Sequence, residues 1–178
     1  MRTVIIYESV YGNTRNVAEE LAEVARSHGD VELFTPAVAP ADALHGADLV
    51  LIGGPTHIHG MSWAATRQSG LAAPPVTGHH AAGADVPGPG LRNWFHGVGR
   101  VDGVLAAAFD TRLEGIEVVT GRASLGISRR LRHHGFTEVA APRSFIVGRD
   151  NVLCVGETDR AREWATSVFD SLPALAFQ

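Results

Sequence analysis

The chain of 178 residues carries 15 cationic against 19 acidic side chains, a formal net charge of -4, and 45% hydrophobic residues. That length buries one full core without requiring a second, so residues 1–178 are read as a single domain. So mild a charge argues against nucleic acid as the main ligand, and no apolar run approaches the ~20 residues that span a bilayer, so neither nucleic acid nor a membrane is expected as a partner.

The first element sets the pattern for the rest. Val4 to Tyr7 is an apolar, β-prone run too short for a helix, and Gly12-Asn13 turns the chain. From Thr14 onward, Val17, Leu21, Val24 and Ala25 follow the spacing of one helical face. Ser9 to Thr14 is therefore a loop of small and hydroxyl residues opening a helix, where free N–H groups and the helix dipole favour an anion. Gly29 is expected to close that helix, and Val31 to Phe34 to form a second strand before Pro36. A brief helix is expected from Ala41 to His45. Asp48 to Ile52 has the near-continuous apolar character of a strand buried on both faces of a parallel sheet, with Gly53-Gly54-Pro55 as its terminator.

Between Met61 and Val101 the periodicity deteriorates. Ser62 to Ser69 is compatible with one or two helical turns, and residues 72–90, rich in Ala, Gly, Pro and His, are read as an irregular insertion. Leu91 to His96 is expected to be a short helix that docks the chain back on the sheet. Val104 to Phe109 is a strand of small residues leading into a polar turn, Asp110-Thr111-Arg112. Gly121 to His134 is a helix closed by Gly135, and Ser144 to Val147 a fifth strand. Ala161, Trp164, Ala165, Val168, Phe169 and Leu172 mark a last helix after a Thr158 or Asp159 cap. Five strands alternating with helices predict a parallel α/β sheet.

In open α/β sheets, ligands bind beyond the carboxyl ends of the strands. The exits after Tyr7, Ile52 and Phe109 are polar or glycine-rich. Cys154 is the only cysteine, which excludes an internal disulfide and paired-thiolate metal sites, and all 15 cations are arginine, which excludes lysine Schiff-base and P-loop chemistry. Strand-like sequence from residue 3 leaves no secretory pattern, so a cytoplasmic location is expected.

Ile5 to Leu21 resembles the flavodoxin signature, with aliphatic Ile5 and Ile6, aromatic Tyr7, hydroxyl Ser9, small Gly12, Thr14, Ala18 and aliphatic Leu21. The order of elements is similar to that of a short-chain flavodoxin. The resemblance implies a flavodoxin-like three-layer sandwich with a five-stranded parallel sheet of order 2-1-3-4-5, and FMN as cofactor. In that reading Ser9, Val10, Tyr11, Gly12, Asn13 and Thr14 hold the phosphate, Ser9 and Thr14 by hydroxyls and the others mainly by backbone N–H groups. Pro55, Thr56, His57, Ile58, His59 and Gly60 lie along the ring, with Gly60 or the His59-Gly60 peptide beside its N5 edge. Flavodoxins often place Trp there; this chain has His57 and His59, with Trp63 beyond. Phe109, Asp110, Thr111 and Arg112 form the third loop, where flavodoxins commonly carry a stacking Tyr. Phe109 either stacks or belongs to the core, Asp110 and Thr111 face the pyrimidine edge, and Arg112 faces the anionic reduced flavin or a partner.

His57 and His59 have no nearby carboxylate or cysteine to complete a metal site, and no metal is assigned. Arg129, Arg130, Arg132, His133 and His134 are read as a solvated helix end complementing the dipole, with docking of an acidic partner or of the NADPH 2′-phosphate as the alternative. The functional expectation is electron transfer with a redox partner protein or a small-molecule acceptor, with no catalytic acid or base required. Two rivals stand beside it: a flavodoxin-like NAD(P)H:quinone oxidoreductase, and a non-redox binding module on the same fold. A response-regulator receiver is discarded, since Glu8 is the lone acid near the first strand and lysine is absent.

Overall fold

The apolar runs Val4–Ile6 and Leu49–Ile52 are fully buried on both faces, and they form neighbouring strands at the centre of a parallel sheet. The computed structural model describes residues 1–57, 60–62, 89–116 and 120–172. In chain order the elements are β1 (Arg2–Tyr7), α1 (Asn13–Arg26), β2 (Asp30–Phe34), β3 (Leu49–His57), β4 (Gly60–Met61), α2 (Leu91–Gly97), β5 (Leu105–Leu113), α3 (Ala123–His133), β6 (Thr137–Glu138), β7 (Arg143–Val147) and α4 (Glu157–Asp170).

The sheet runs β2-β1-β3-β5-β6, with β7 also on β5 and β4 antiparallel to the end of β3. The expected order 2-1-3-4-5 is therefore present, its fifth position shared by β6 and β7. One face packs on α1 and α4 around Ile5, Leu21, Phe109, Phe145, Trp164 and Val168. The opposite face packs on α2 and α3 around Val4, Ile52, Leu91, Phe95, Ile127 and Leu131. The result is the three-layer flavodoxin-like sandwich. Among the described residues no helix is long and apolar enough to cross a membrane.

Several boundaries differ from expectation. β3 does not stop at Gly53; it continues to His57, pairing Gly53, Gly54 and Pro55 with Phe109, Asp110 and Thr111. β1 ends at Tyr7, opposite Gly53, so the missing N–H of Pro55 costs no ladder bond on that side. β5 likewise runs through Asp110, Thr111 and Arg112 to Leu113, because β7 pairs with that segment from Phe109↔Arg143 to Leu113↔Val147. The helix expected over Ala41–His45 is instead a series of tight turns, with Ala43 N–H on Pro40 O and His45 N–H on Asp42 O. Arg2 accounts for this: its guanidinium takes the carbonyls of Ala43 (3.0 Å) and His45 (2.8 Å), and it also pairs with Glu32.

α1 starts one residue before Thr14, with Gly12 as N-cap, and ends at Arg26 with Ser27 as C-cap, so Gly29 lies two residues past the cap. α4 begins at Glu157 after Gly156, ahead of the expected caps. α3 starts at Ala123 and is closed by Gly135 at φ +91. Apart from Ser62, the helical turns expected over Ser62 to Ser69 lie outside the described residues, as does nearly all of the 72–90 insertion. Their flanks are described, and Glu8 joins them: its buried carboxylate accepts from the Ser62 hydroxyl and from the Leu91 N–H at 2.9 Å. Arg92 adds a second tie, donating to the carbonyls of Met61 and Ser62.

Candidate functional site

Parallel pairing of β1, β3, β5 and β7 brings their carboxyl ends to one edge of the sheet. There they enclose an open cavity of about 390 Å³, lined by Val10, Tyr11, Asn13, Thr14, Pro55, Thr56, His57, Thr111, Arg112, Leu113, Val147 and Asn151. The volume lies in the range of small-molecule sites.

The loop after β1 forms its first wall. Gly12 takes φ +89, the left-handed region, with no atom within 4 Å of where a Cβ would stand, so backbone conformation and not crowding calls for glycine. Ser9 is buried and braces the loop from within, its hydroxyl oxygen accepting from Gly12 N–H (3.1 Å) and Arg15 N–H (3.3 Å). The first turn of α1 contains no acidic residue. Glu8, the one acid beside the loop, has its carboxylate committed to Ser62 and Leu91. The first turn of α1 thus adds no negative charge at the positive end of its dipole, a setting that favours an anion.

Thr14 and Thr111 meet across the cavity floor, hydroxyl to hydroxyl at 2.7 Å. One oxygen donates and the other accepts, so the accepting hydroxyl keeps its own proton for a further acceptor. The Asn13 amide donates to Asn151 O at 2.9 Å and ties α1 to the loop after β7. Arg112 is buried and holds the rim: one terminal nitrogen donates to Gly115 O (3.0 Å) and Thr120 Oγ1 (3.1 Å). Tyr11 and Leu113 expose apolar surface beside the opening.

Position along β5 separates the expected third-loop residues, the later pair lying nearer the carboxyl end of the strand. Thr111 and Arg112 reach the cavity wall, but Phe109 and Asp110 do not. Phe109 is fully buried against Trp164, with ring centroids 6.2 Å apart. Asp110 is fully buried beneath the start of α3, where its Oδ2 accepts from Ser124 N–H (2.7 Å) and Thr56 Oγ1 (3.2 Å); Thr56 Oγ1 in turn accepts from Ala123 N–H (2.8 Å). Burial raises the Asp110 pKa, against the lowering effects of the Ser124 N–H, the Ser144 and Ser124 hydroxyls and the Arg122 charge. Gly60 lies in β4 and is not on the cavity wall; Ile58 and His59 lie outside the described residues.

Leu113, Val147 and Asn151 were not anticipated. The pointer to the last two was the Asp150-Asn151 turn after a parallel strand, since that strand exit opens on the same edge as the others. Asn151 adopts φ +61, a conformation Asn tolerates better than most residues.

The comparisons with known proteins agree with this fold. The family model described as Flavodoxin domain matches residues 4–69, the span from β1 past β4. Oxidised flavodoxin 1 from Bacillus cereus superposes with a TM-score of 0.70 at 16% identity, over 97% of this chain and 100% of that one. A flavodoxin from the domain Archaea gives 0.62 at 16% identity, over 96% and 97%. Rubredoxin oxygen:oxidoreductase from Desulfovibrio gigas gives 0.62 at 20% identity, over 97% of this chain but 37% of that one. A search of curated proteins returns no significant match. The protein has the flavodoxin fold, and its residues 4–69 match the flavodoxin domain model.

Proposed function

We propose that this protein binds FMN in the cavity at the carboxyl ends of β1, β3 and β5 and serves in electron transfer. The observation that carries the reading is the conjunction of an acid-free helix start, a left-handed Gly12 and a paired Thr14–Thr111 hydroxyl floor in one cavity. Bound FMN would supply the redox chemistry, and the chain's own residues would bind and orient it.

The phosphate belongs on the loop from Ser9 to Thr14. Backbone N–H groups of the first turn and the spare hydroxyl proton of the Thr14–Thr111 pair donate to it, each charge-assisted bond contributing on the order of 1.5–3 kcal/mol. Pro55, Thr56 and His57 form the wall for the ring, while the apolar surfaces of Tyr11 and Leu113 exclude water at the rim. Arg112 places a fixed positive charge on the wall, which favours a ligand that gains negative charge. Asp110 acts one layer back: by capping α3 together with Thr56 it fixes Thr56 in the ring wall.

A flavin absorption spectrum in the purified protein, or quenching of FMN fluorescence on titration, tests the reading. Protein that stays colourless and leaves FMN fluorescence unchanged removes it in favour of a non-redox module. NADPH oxidation with a benzoquinone at saturating FMN then separates carrier from reductase, since turnover is expected only of the latter. Thr14→Ala is expected to weaken FMN by ~1–2 kcal/mol, roughly 5- to 30-fold in Kd. Unchanged affinity would move the phosphate away from α1.

A further inference from the structure

Three acidic side chains are buried among the described residues: Glu8, Asp110 and Glu157. Two of them have both carboxylate oxygens committed. Glu8 accepts from the Ser62 hydroxyl on one and from Leu91 N–H on the other, while Glu157 pairs with Arg160 and accepts from Ile146 N–H at 2.9 Å. Asp110 differs. Its Oδ2 is taken by Ser124 N–H and the Thr56 hydroxyl, but its Oδ1 is buried without a hydrogen-bond partner among the described residues.

The surroundings of Oδ1 suit either state of the carboxyl group. Ser124 Oγ, at the start of α3, is likewise buried and unpartnered among the described residues, and its hydroxyl bears on the Asp110 carboxyl, as does that of Ser144. A serine hydroxyl donates to an ionised oxygen and accepts from a protonated one, so a proton can join or leave Oδ1 with a turn of one O–H bond. Ser144 is less adaptable, since its oxygen already accepts from Arg122 Nε at 3.1 Å. The ladder partners of Asp110 are Gly54 and Ser144, neither of which titrates. The charged or titratable groups on the strands beside it and before α3 are His57 on β3, Arg112 on β5, Arg143 on β7 and Arg122; the cations of α3 itself stand at its far end, from Arg129 onward. Arg122 is the one whose charge bears on Asp110.

Asp110 stands one side chain behind the cavity wall. Thr56, whose hydroxyl donates to Oδ2, and Thr111, its neighbour in β5, both line the cavity beside the first loop. A negative charge arriving there acts on the carboxylate across a buried layer of protein, where charges interact more strongly than in water. Ionised, Asp110 opposes an anion; protonated, it does not.

We infer that Asp110 is the proton site of this cavity, taking up a proton as an anionic ligand binds and releasing it as the ligand leaves. The proton comes from solvent and forms an O–H bond at Oδ1, with Ser124 Oγ accepting from it, and no electron moves. The inference rests on the FMN reading for the ligand that tests it. FMN titrations by fluorescence quenching between pH 6 and pH 9, at constant ionic strength, compare wild type, Ser124→Ala and Asp110→Asn, which keeps an acceptor for both donors on Oδ2. The FMN phosphate titrates alike with each protein, so the ratio between variants isolates Asp110. The ratio of wild-type to Asp110→Asn dissociation constants is expected to be near one at low pH and to rise to about tenfold, the change produced when the ligand raises the Asp110 midpoint by one pH unit. Indicator-dye measurements at pH 8 in weak buffer are expected to count more protons taken up per FMN bound by wild type than by Asp110→Asn. Ser124→Ala should move the rise to higher pH, because the ionised oxygen loses its hydroxyl donor. A ratio constant with pH, or equal proton uptake by wild type and Asp110→Asn, would overturn the inference and leave Asp110 a structural cap. FMN fluorescence unchanged with every variant would instead remove the FMN reading, and the inference with it.

Discussion

Gly53→Ala is expected to destabilise the protein by about 3 kcal/mol, at the upper end for an overpacked core. A Cβ at Gly53 would stand 2.1 Å from Cζ, 2.2 Å from Cε2 and 2.5 Å from Cδ2 of Phe109. Three contiguous atoms of a rigid ring are involved, so no small rotation of a flexible tip relieves the clash. Phe109 lies directly opposite Gly53 in the β3–β5 ladder and is fully buried against Trp164. The ring must therefore shift into the α1–α4 layer, or the two central strands must part. Urea denaturation of Gly53→Ala, Phe109→Leu and the double variant measures the coupling. The double variant should be more stable than the sum of the single losses implies, because the smaller side chain makes room for the methyl. Strict additivity, or a loss below about 0.5 kcal/mol for Gly53→Ala, would show that the interior accommodates the methyl elsewhere.

The second large effect concerns Asp110 and depends on pH. Burial raises its pKa in the folded state, so the folded protein holds that proton more tightly than the unfolded chain does. Between the ordinary aspartate value, about 3.9, and the raised folded value, the native state binds more protons, and stability falls as pH rises. Above that window the cost of the buried charge is present in full. Asp110→Asn keeps an oxygen acceptor for Ser124 N–H and the Thr56 hydroxyl while removing the charge. It is expected to exceed wild type in stability at pH 8, with the advantage shrinking as pH falls toward 4. Asp110→Ala removes the acceptor and is expected to cost ~1–3 kcal/mol even at low pH, because two buried donors lose their partner. Denaturation midpoints from pH 4 to 8 test both, and an Asn variant weaker than wild type at pH 8 would mean that the carboxylate charge is itself stabilising.

How much of this was legible in the sequence follows from where the deciding interactions lie. The Val4–Leu21 unit, the buried run at Leu49–Ile52 and the last helix announce themselves because a local side-chain pattern and the burial it serves coincide. Gly53-Gly54-Pro55 reads as a terminator by composition, yet it is strand, because the Phe109 ring on the neighbouring strand fills the space a side chain would need. Asp110-Thr111-Arg112 reads as a polar turn, yet β7 pairs with it throughout. In both cases the sequence partner lies dozens of residues away. The two-residue strands β4 and β6 have no pattern of their own and exist through their neighbours. The turns over Ala41–His45 depend on Arg2, about forty positions earlier.

At the candidate site the first loop was readable because its spacing is local, from Ser9 to Thr14. The third stretch was only half readable. Distance along the strand decides that Thr111 and Arg112, nearest its carboxyl end, line the cavity while Phe109 lies in the core and Asp110 beneath α3, and that depth is invisible where a loop is assumed. The contribution of Asn151 depends on an exit loop about 140 positions from α1, reached through the Asn13 amide.

The Glu8 clamp has a practical consequence for dividing this protein. Ser62 and Leu91 are fastened to the same carboxylate, and β3 pairs with β5 over seven positions from Leu49↔Leu105 to Pro55↔Thr111. A fragment ending shortly after Ser62 and a second beginning shortly before Leu91 each retain their half of those bonds. Expressed together, the two should reassociate into one co-eluting folded species, and Glu8→Ala should weaken that reassembly more severely than it weakens the intact chain, where covalent connection keeps the halves at high effective concentration. The natural seam for a split reporter or a circular permutation thus runs between β4 and α2, with Glu8 as its latch.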